Sequence, residues 1–302
     1  MSFRWHKSRK SKKHVPSENV LCHLHIRRIS FNIIDKQRCA WKGRTIETES
    51  MNKELYPIIF KRKSFHLFRS AGSEKLAPEE LKDIEAAYAG FEPLYPDIRT
   101  AIRIVPAAKV NFKRDAEYCI LIYSEKKDNY LMNAGYTGEQ LDLYLVSRNI
   151  GTLWFGIGRP DLASYDGMDF VIMIAIRKVS GESKYRKDMF KSKRKPLEET
   201  WEGDPLGVAE IARFAPSACN SQPWFVRNDG EKLTVFRYKN PGKRGIMPAA
   251  AVAYYNRIDI GIYLCFLELC LTEKGIVFSR QLFPDDAGDD VEYSKVAEYS
   301  VR

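Results

Sequence analysis

At 302 residues, with 44% hydrophobic residues and 29% charged, the chain is long enough for one large globular domain or two smaller ones. Its net charge of +10 sits mostly in the first 50 residues, which hold 12 Lys/Arg against 4 Asp/Glu, so the remainder is nearly neutral and is not a nucleic-acid-binding body. No apolar stretch is long enough to span a bilayer, no apolar signal-peptide segment follows the basic N-terminus, and the six cysteines include no C-x-x-C pair, so reduced thiols in a cytoplasmic protein are expected.

Residues 1–50 carry no helical or strand period and hold four of the five histidines. Cys22-His23-x-His25 has the residue types of a metal site, but a basic, disordered tail accounts for it better, and no metal is expected. Met51 begins a segment with the look of a natural start, so residues 1–50 read as an upstream extension. From there two units are expected, 51–200 and 201–302.

In the first unit, Pro78 opens a helix with Leu81, Ile84 and Tyr88 on one face. Ala101–Val110 and Tyr118–Tyr123 read as strands. Thr137-x-x-Gln140 reads as a capping box for a helix that runs to Ile150 and stops at Gly151. The apolar run Phe170–Ile176 reads as a central strand, and a basic stretch follows over Lys184–Lys195.

In the second unit, Asp204 and Pro205 start a short helix that Pro216 ends. Trp224–Arg227 and Leu233–Tyr238 form a hairpin around Asp229-Gly230. Asp259–Lys274 is a mostly apolar helix stopped by Gly275, and Val277–Phe283 is a last strand. The two units echo each other: a helix ending at 148–151 and another ending at 273–276, each followed by a β-like segment.

Three segments carry candidate chemistry. Around Lys61-Arg62-Lys63-Ser64-Phe65-His66, cations flank a hydroxyl; such a set is either a solvated basic turn or a phosphate site. In Ala215-Pro216-Ser217-Ala218-Cys219-Asn220-Ser221-Gln222-Pro223-Trp224, two prolines restrict the backbone and two carboxamides offer both donor and acceptor, as the edge of a flavin ring requires. Lys191–Glu199 is a charged linker or a third part of the same site.

Together these segments resemble the FMN-dependent nitroreductase family over roughly residues 51–302. Arg62-Lys63-Ser64-x-His66-x-Phe68 is similar to that family's R-x-S-x-R/K-x-F motif, which binds the flavin phosphate and ribityl chain. Ala215–Trp224 is similar to its A-P-S-x-x-N-x-Q-P-W motif, which lies along the flavin. Gly151-Thr152-Leu153-Trp154-Phe155-Gly156 resembles the Gly-rich turn after the central helix, and Lys193-Arg194-Lys195-Pro196 the C-terminal basic segment whose Lys or Arg reaches the phosphate. The resemblance implies FMN held by Arg62, Lys63, Ser64, His66, Gly151, Thr152, Lys193, Arg194, Pro216, Ser217, Ala218, Asn220 and Gln222. His66 stands where the family usually has Arg or Lys, and Ala218 replaces a frequent serine.

The order of the motifs also departs from the family. About 150 residues separate the R-x-S segment from the A-P-S segment, and the basic segment lies between them. In the family's dimer each subunit donates one of the two to a shared flavin. The resemblance therefore implies an α+β sandwich of two pseudo-symmetric halves in one chain that mimics the dimer, working as a monomer or a homodimer. The implied function is electron transfer from NADH or NADPH through FMN to a small organic acceptor such as a nitroaromatic or quinone. The alternative is a flavin-binding protein without efficient turnover. Flavin carries such chemistry without a side-chain acid or base, which suits a body whose one histidine after Met51 is His66. Neither a membrane nor a specific nucleic acid is an expected partner.

Overall fold

Two sheets and two long helices form the frame of the computed structural model, which describes residues 46–47, 53–112, 114–240, 242, 244–285 and 292–302. The Cys22-His23-x-His25 cluster and nearly all of the basic extension lie outside the described residues.

The first sheet contains β2 (Thr100–Pro106), β3 (Tyr118–Ser124), β4 (Ile150–Phe155) and β6 (Met168–Lys178), in the order β2-β3-β6-β4, with the two-residue β5 (Ser164–Tyr165) paired to β6. The second contains β8 (Trp224–Asn228), β9 (Lys232–Tyr238), β10 (Phe278–Leu282) and β11 (Tyr293–Val301), in the order β8-β9-β11-β10. Two short strands extend it: β1 (Ile46–Glu47) pairs antiparallel with β10, and β7 (Trp201–Glu202) pairs parallel with β8. In each sheet the chain runs hairpin, helix, hairpin, and the strands lie in the order first, second, fourth, third. The two sheets thus share one strand order, which is consistent with the echo between the helix ends.

The helices of the two units are α3 (Tyr130–Ser147) and α5 (Ala249–Glu273), which pack on each other. Both are buried on nearly every face, so neither has the one-sided apolar stripe of a surface helix. Their crossing needs glycine on both sides. A Cβ on Gly135 would stand 2.1 Å from the Ile258 carbonyl oxygen, and one on Gly261 would stand 2.0 Å from that of Met132. Each helix ends on a left-handed residue, Asn149 (φ 58°) and Gly275 (φ 69°), at the same spacing from its crossing glycine. One continuous apolar core joins the units: Ile120, Ile174 and Leu141 belong to the same cluster as Val235, Leu267 and Tyr299.

Several expectations are corrected. The first long helix begins at Tyr130, about two turns before Thr137. Thr137 is no cap; its hydroxyl donates to the Asn133 carbonyl, while Gln140 donates to the Glu92 carbonyl. In a helix buried all round, polar side chains find tertiary partners and mimic a cap in the sequence. The stop is Asn149. Gly151 lies inside β4, where a Cβ would stand 2.9 Å from the Phe65 ring and from Val179, so Gly151–Phe155 is a strand and no Gly-rich turn.

In the second unit Asp204 forms a turn, accepting from the Leu206 amide at 2.8 Å, and the short helix α4 (Ala209–Ala212) starts later. The long helix starts at Ala249, behind Pro248, because the alanines there are strong helix formers. The last strand is β11, whose alternation is broken by a bulge between Lys295 and Ala297. The Pro78–Ala89 helix (α2), the β3 and β6 strands and the hairpin at Asp229-Gly230 lie where the sequence puts them.

Candidate functional site

The R-x-S segment leaves α1 (Ile58–Lys61) in extended backbone and runs beside β4. Ser64 bridges Thr152 in parallel, and the Phe65 amide donates to the Thr152 carbonyl at 2.9 Å. Arg62 turns inward and is 3% exposed. Its Nε and Nη2 donate to Asp142 Oδ2 at 3.1 and 2.8 Å, and its Nη1 reaches Ser64 Oγ at 3.2 Å. Asp142, on α3, also accepts from the Thr152 hydroxyl and from Trp154 Nε1. Burial opposes the charge on Arg62, but Asp142 and then Glu139 hold it above its ordinary value. Burial, and next Asp142, pushes the Glu139 carboxyl well above the carboxylate range.

Gly151 and Thr152 therefore sit behind the segment. Gly151 makes room for Phe65, and the fully buried Thr152 side chain is bonded to Asp142. Lys63 and Ser64 are half-buried and His66 lies at the surface. Partial desolvation of the imidazole, with Arg114 and Arg62 nearby, holds His66 below the ordinary histidine range, so it is neutral at pH 7.

The Ala215–Trp224 segment is a tight turn in front of β8. Cys219, Asn220 and Gln222 have φ of 52°, 55° and 49°. Left-handed backbone at non-glycine residues costs of order 1–3 kcal/mol each and persists where the surroundings impose it. The imposing contacts are visible. The Ala218 amide donates to both oxygens of Asp259 on α5 at 3.0 and 3.1 Å, and the Gln222 amide donates to Ser217 Oγ at 3.0 Å. Trp224 anchors the turn, fully buried and stacked on Tyr263 with ring centroids 4.7 Å apart. Pro216 is buried, and Ser217, Ala218 and Asn220 are half-buried.

The basic segment is stitched to this turn. Arg194 Nη1 donates to Asn220 Oδ1 at 3.1 Å and Nη2 to the Phe214 carbonyl at 2.9 Å. Asn220 Nδ2 donates to the Lys193 carbonyl, and the Lys195 amide donates to Gln222 Oε1 at 2.9 Å. The two carboxamides thus hold Lys193–Lys195, a task the sequence pattern does not reveal. Lys193 itself is exposed.

Arginines converge here. Burial, then Arg186, Arg62 and Arg213, pulls Arg194 down to about 10. Burial, then Arg62, pulls Arg186 down to about 10. Burial, with Lys184 and Arg186, also lowers Lys63. Among the described residues, Arg186, Arg194, Arg213 and Lys63 form no ion pair with a carboxylate. The buried Nε of Arg194 has no hydrogen-bond partner. Desolvated cations without a counter-charge make a place for an anion with several acceptor oxygens.

The structure brings Arg62, Lys63 and Ser64 of the first unit to the arginine cluster that holds Asn220 of the second. Four contributors escape motif reading: Arg186, Arg213, Asp142 and Asp259. The two aspartates had one signal, an acid inside a mostly apolar helix, and Glu139 and Glu268 share it. Among the described residues no group of His, Cys, Asp and Glu could hold a metal, and no helix is long and apolar enough to cross a membrane.

The fold is α+β, and the family match makes the chain an oxidoreductase of the flavin-dependent kind. The family described as "Putative TM nitroreductase" matches residues 54–271, and the chain belongs to it. The fold is similar to that of a "putative nitroreductase" from Thermotoga maritima, at 20% identity, TM-score 0.52, and coverage of 86% of this chain and 98% of that one. It is less similar to a "putative nitroreductase in complex with FMN" from Desulfovibrio desulfuricans, at 18% identity, TM-score 0.35, and coverage of 50% and 95%. A nitroreductase family protein from Clostridium difficile gives 14% identity, TM-score 0.36, and coverage of 50% and 96%. No curated protein matches the chain.

Proposed function

We propose that the chain binds one FMN where the first unit's R-x-S segment meets the second unit's A-P-S turn, and uses it to pass electrons from NADH or NADPH to a small organic acceptor. The observation that carries the reading is the desolvated arginine cluster, unpaired with any carboxylate among the described residues and tied to Asn220 of the turn. A flavin mononucleotide ends in a phosphate of about two negative charges. That end suits Arg194, Lys63 and Ser64, with Arg186 and Arg213 adding field and the exposed Lys193 at the rim. FAD has no terminal phosphate to put there.

When bound, FMN supplies the two-electron chemistry. The chain's own residues orient and hold. Arg62 is fixed by Asp142, so Nη1 keeps Ser64 Oγ in place. Asn220 and Gln222 keep Lys193–Lys195 against the turn. Pro216, Ser217 and Ala218 form the wall that Trp224 anchors. His66, neutral at pH 7, adds no positive charge, and no side chain is required to shuttle a proton. Two halves in one chain with one such site amount to a dimer mimic; the cytoplasm is the expected setting.

The purified chain should be yellow, release FMN on denaturation, and bleach within seconds of adding NADH or NADPH under anaerobic conditions. FAD in the released cofactor, or colourless protein that ignores added FMN, would refute the cofactor. A yellow protein that neither nicotinamide bleaches would point to flavin binding without turnover.

A further inference from the structure

Two buried side chains hold the same place in the two units. Asn133 lies two residues before the crossing glycine Gly135 and accepts from the Tyr95 amide at 2.9 Å. Asp259 lies two residues before Gly261 and accepts from the Ala218 amide at 3.0 and 3.1 Å. In both cases the donor belongs to the turn that precedes the first hairpin of the unit. Asn133 demonstrates that a neutral acceptor meets the structural need.

A carboxyl in that place is different because it can lose a proton. Burial drives Asp259 up to about 8, against the opposing pull of the Ala218 amide and then the Ser221 hydroxyl. Ser221 Oγ stands 3.4 Å from Asp259 and from Asn256 Oδ1. Titratable side chains on the surrounding elements have other partners or none. Arg257 on the same helix and Arg237 on β9 pair with Asp285, Arg194 bonds Asn220, Arg213 bonds the Lys195 carbonyl, and Glu139 on α3 bonds Trp154. Neither Cys219 in the turn nor Tyr263 on the same helix has a hydrogen bond to it. Arg244, whose loop packs on Cys219 through Gly245, bonds the Met247 carbonyl. Among the described residues an anion formed at Asp259 therefore has no counter-ion, and it acts on the turn that faces the arginine cluster.

We propose that Asp259 is the positioning residue of the A-P-S turn and that loss of its proton weakens FMN binding, so that this one carboxyl couples flavin occupancy to pH. The inference rests on the FMN reading above. The ionised carboxylate pulls harder on the Ala218 amide and the Ser221 hydroxyl, and it adds a negative charge beneath a turn meant for an anionic ligand. Asp259→Asn keeps the acceptor, as Asn133 does, and removes the proton.

Two measurements on the full chain test this. In flavin-free protein labelled with 15N-alanine, the Ala218 amide resonance should titrate with a midpoint near 8, and in D259N it should stay still. The FMN Kd, read by quenching of flavin fluorescence, should rise between pH 6.5 and 9 by about threefold more in wild type than in D259N, the size expected of one uncompensated charge near another. The common loss from lysine and arginine deprotonation cancels in that ratio. Equal ratios in the two proteins, or an Ala218 amide that does not titrate in wild type, would overturn the proposal. If D259N does not fold, the wild-type Ala218 titration decides: saturating FMN should raise its midpoint by about half a pH unit, the same threefold preference for the protonated state, and an unmoved midpoint overturns the coupling. An Ala218 amide that titrates in a protein with no FMN affinity at any pH refutes the flavin reading and the coupling with it, and leaves Asp259 as a structural acid only.

Discussion

The turn ahead of β8 and the turn ahead of β2 occupy matching positions in the two units, yet one is open and the other is filled. Ahead of β8, Ser217, Ala218 and Asn220 are half-buried around a cluster of arginines with no ion pair among the described residues. Ahead of β2 the chain reads Glu92-Pro93-Leu94-Tyr95-Pro96, and Leu94 and Tyr95 are buried in the core. Beneath the turns the contrast continues. On α3, Asp142 takes Arg62, which arrives from outside the sheet, and Arg62 in turn steadies Ser64. At the matching place on α5, Glu268 takes Arg280 from β10 together with Tyr136 and Tyr299, and all four side chains are buried. A repeated strand order thus carries one open surface, the proposed ligand face, and one plugged copy, and the difference lies in a handful of side chains.

The largest expected effects come from the two buried ion pairs of this comparison, Arg62–Asp142 and Arg280–Glu268. Arg62→Ala and Arg280→Ala each leave a buried carboxylate without its partner, which costs about 3–5 kcal/mol. Urea unfolding should register both. If the comparison holds, Arg62→Ala alone also loses FMN affinity, because Ser64 loses its anchor. An equal loss of FMN affinity from Arg280→Ala would break it.

Next comes Arg194→Ala. A charge-assisted hydrogen bond contributes roughly 1.5–3 kcal/mol, so FMN affinity should fall about ten- to a hundredfold. Saturating FMN should restore most turnover, since phosphate contacts change little during reaction at the ring. Asn220→Ala removes the turn's bond to the Lys193 carbonyl and one of its bonds to Arg194, and should leave turnover depressed even at saturating FMN. Titrating each variant with FMN while following NAD(P)H oxidation separates the two behaviours.

The smallest effect sharpens the Asn133/Asp259 contrast. The folded-state value of Asp259 lies near 8, above that of the unfolded chain, so its stabilising contribution is complete at acid pH and is lost as pH rises from about 4 towards 8. The stability advantage of D259N over wild type should therefore grow by about 1.4 kcal/mol between pH 6 and pH 7. Thermal unfolding at the two pH values reads it; an advantage that shrinks with pH would reverse the sign.

Much of this organisation is legible in the sequence. Apolar runs such as Phe170–Ile176 mark central strands, and the R-x-S and A-P-S segments mark the proposed site. The limits have physical causes. Thr137 and Asp259 mimic helix starts because the buried helices have no polar face to set their boundaries. Gly151 imitates a stop because it makes room for Phe65, a contact 86 residues away in sequence. Asn220 and Gln222 face the Lys193–Lys195 segment, and no local pattern records a partner so distant in the chain.

The most direct measurement is the flavin content of the purified full-length chain after loading with FMN and gel filtration, from the visible spectrum and HPLC of the released cofactor. One FMN per chain, lost in Arg194→Ala and retained in Arg280→Ala, is the result this account predicts. Two FMN per chain would mean that the turn at Leu94-Tyr95 is no plug, and none would mean that the arginine cluster serves some other anion.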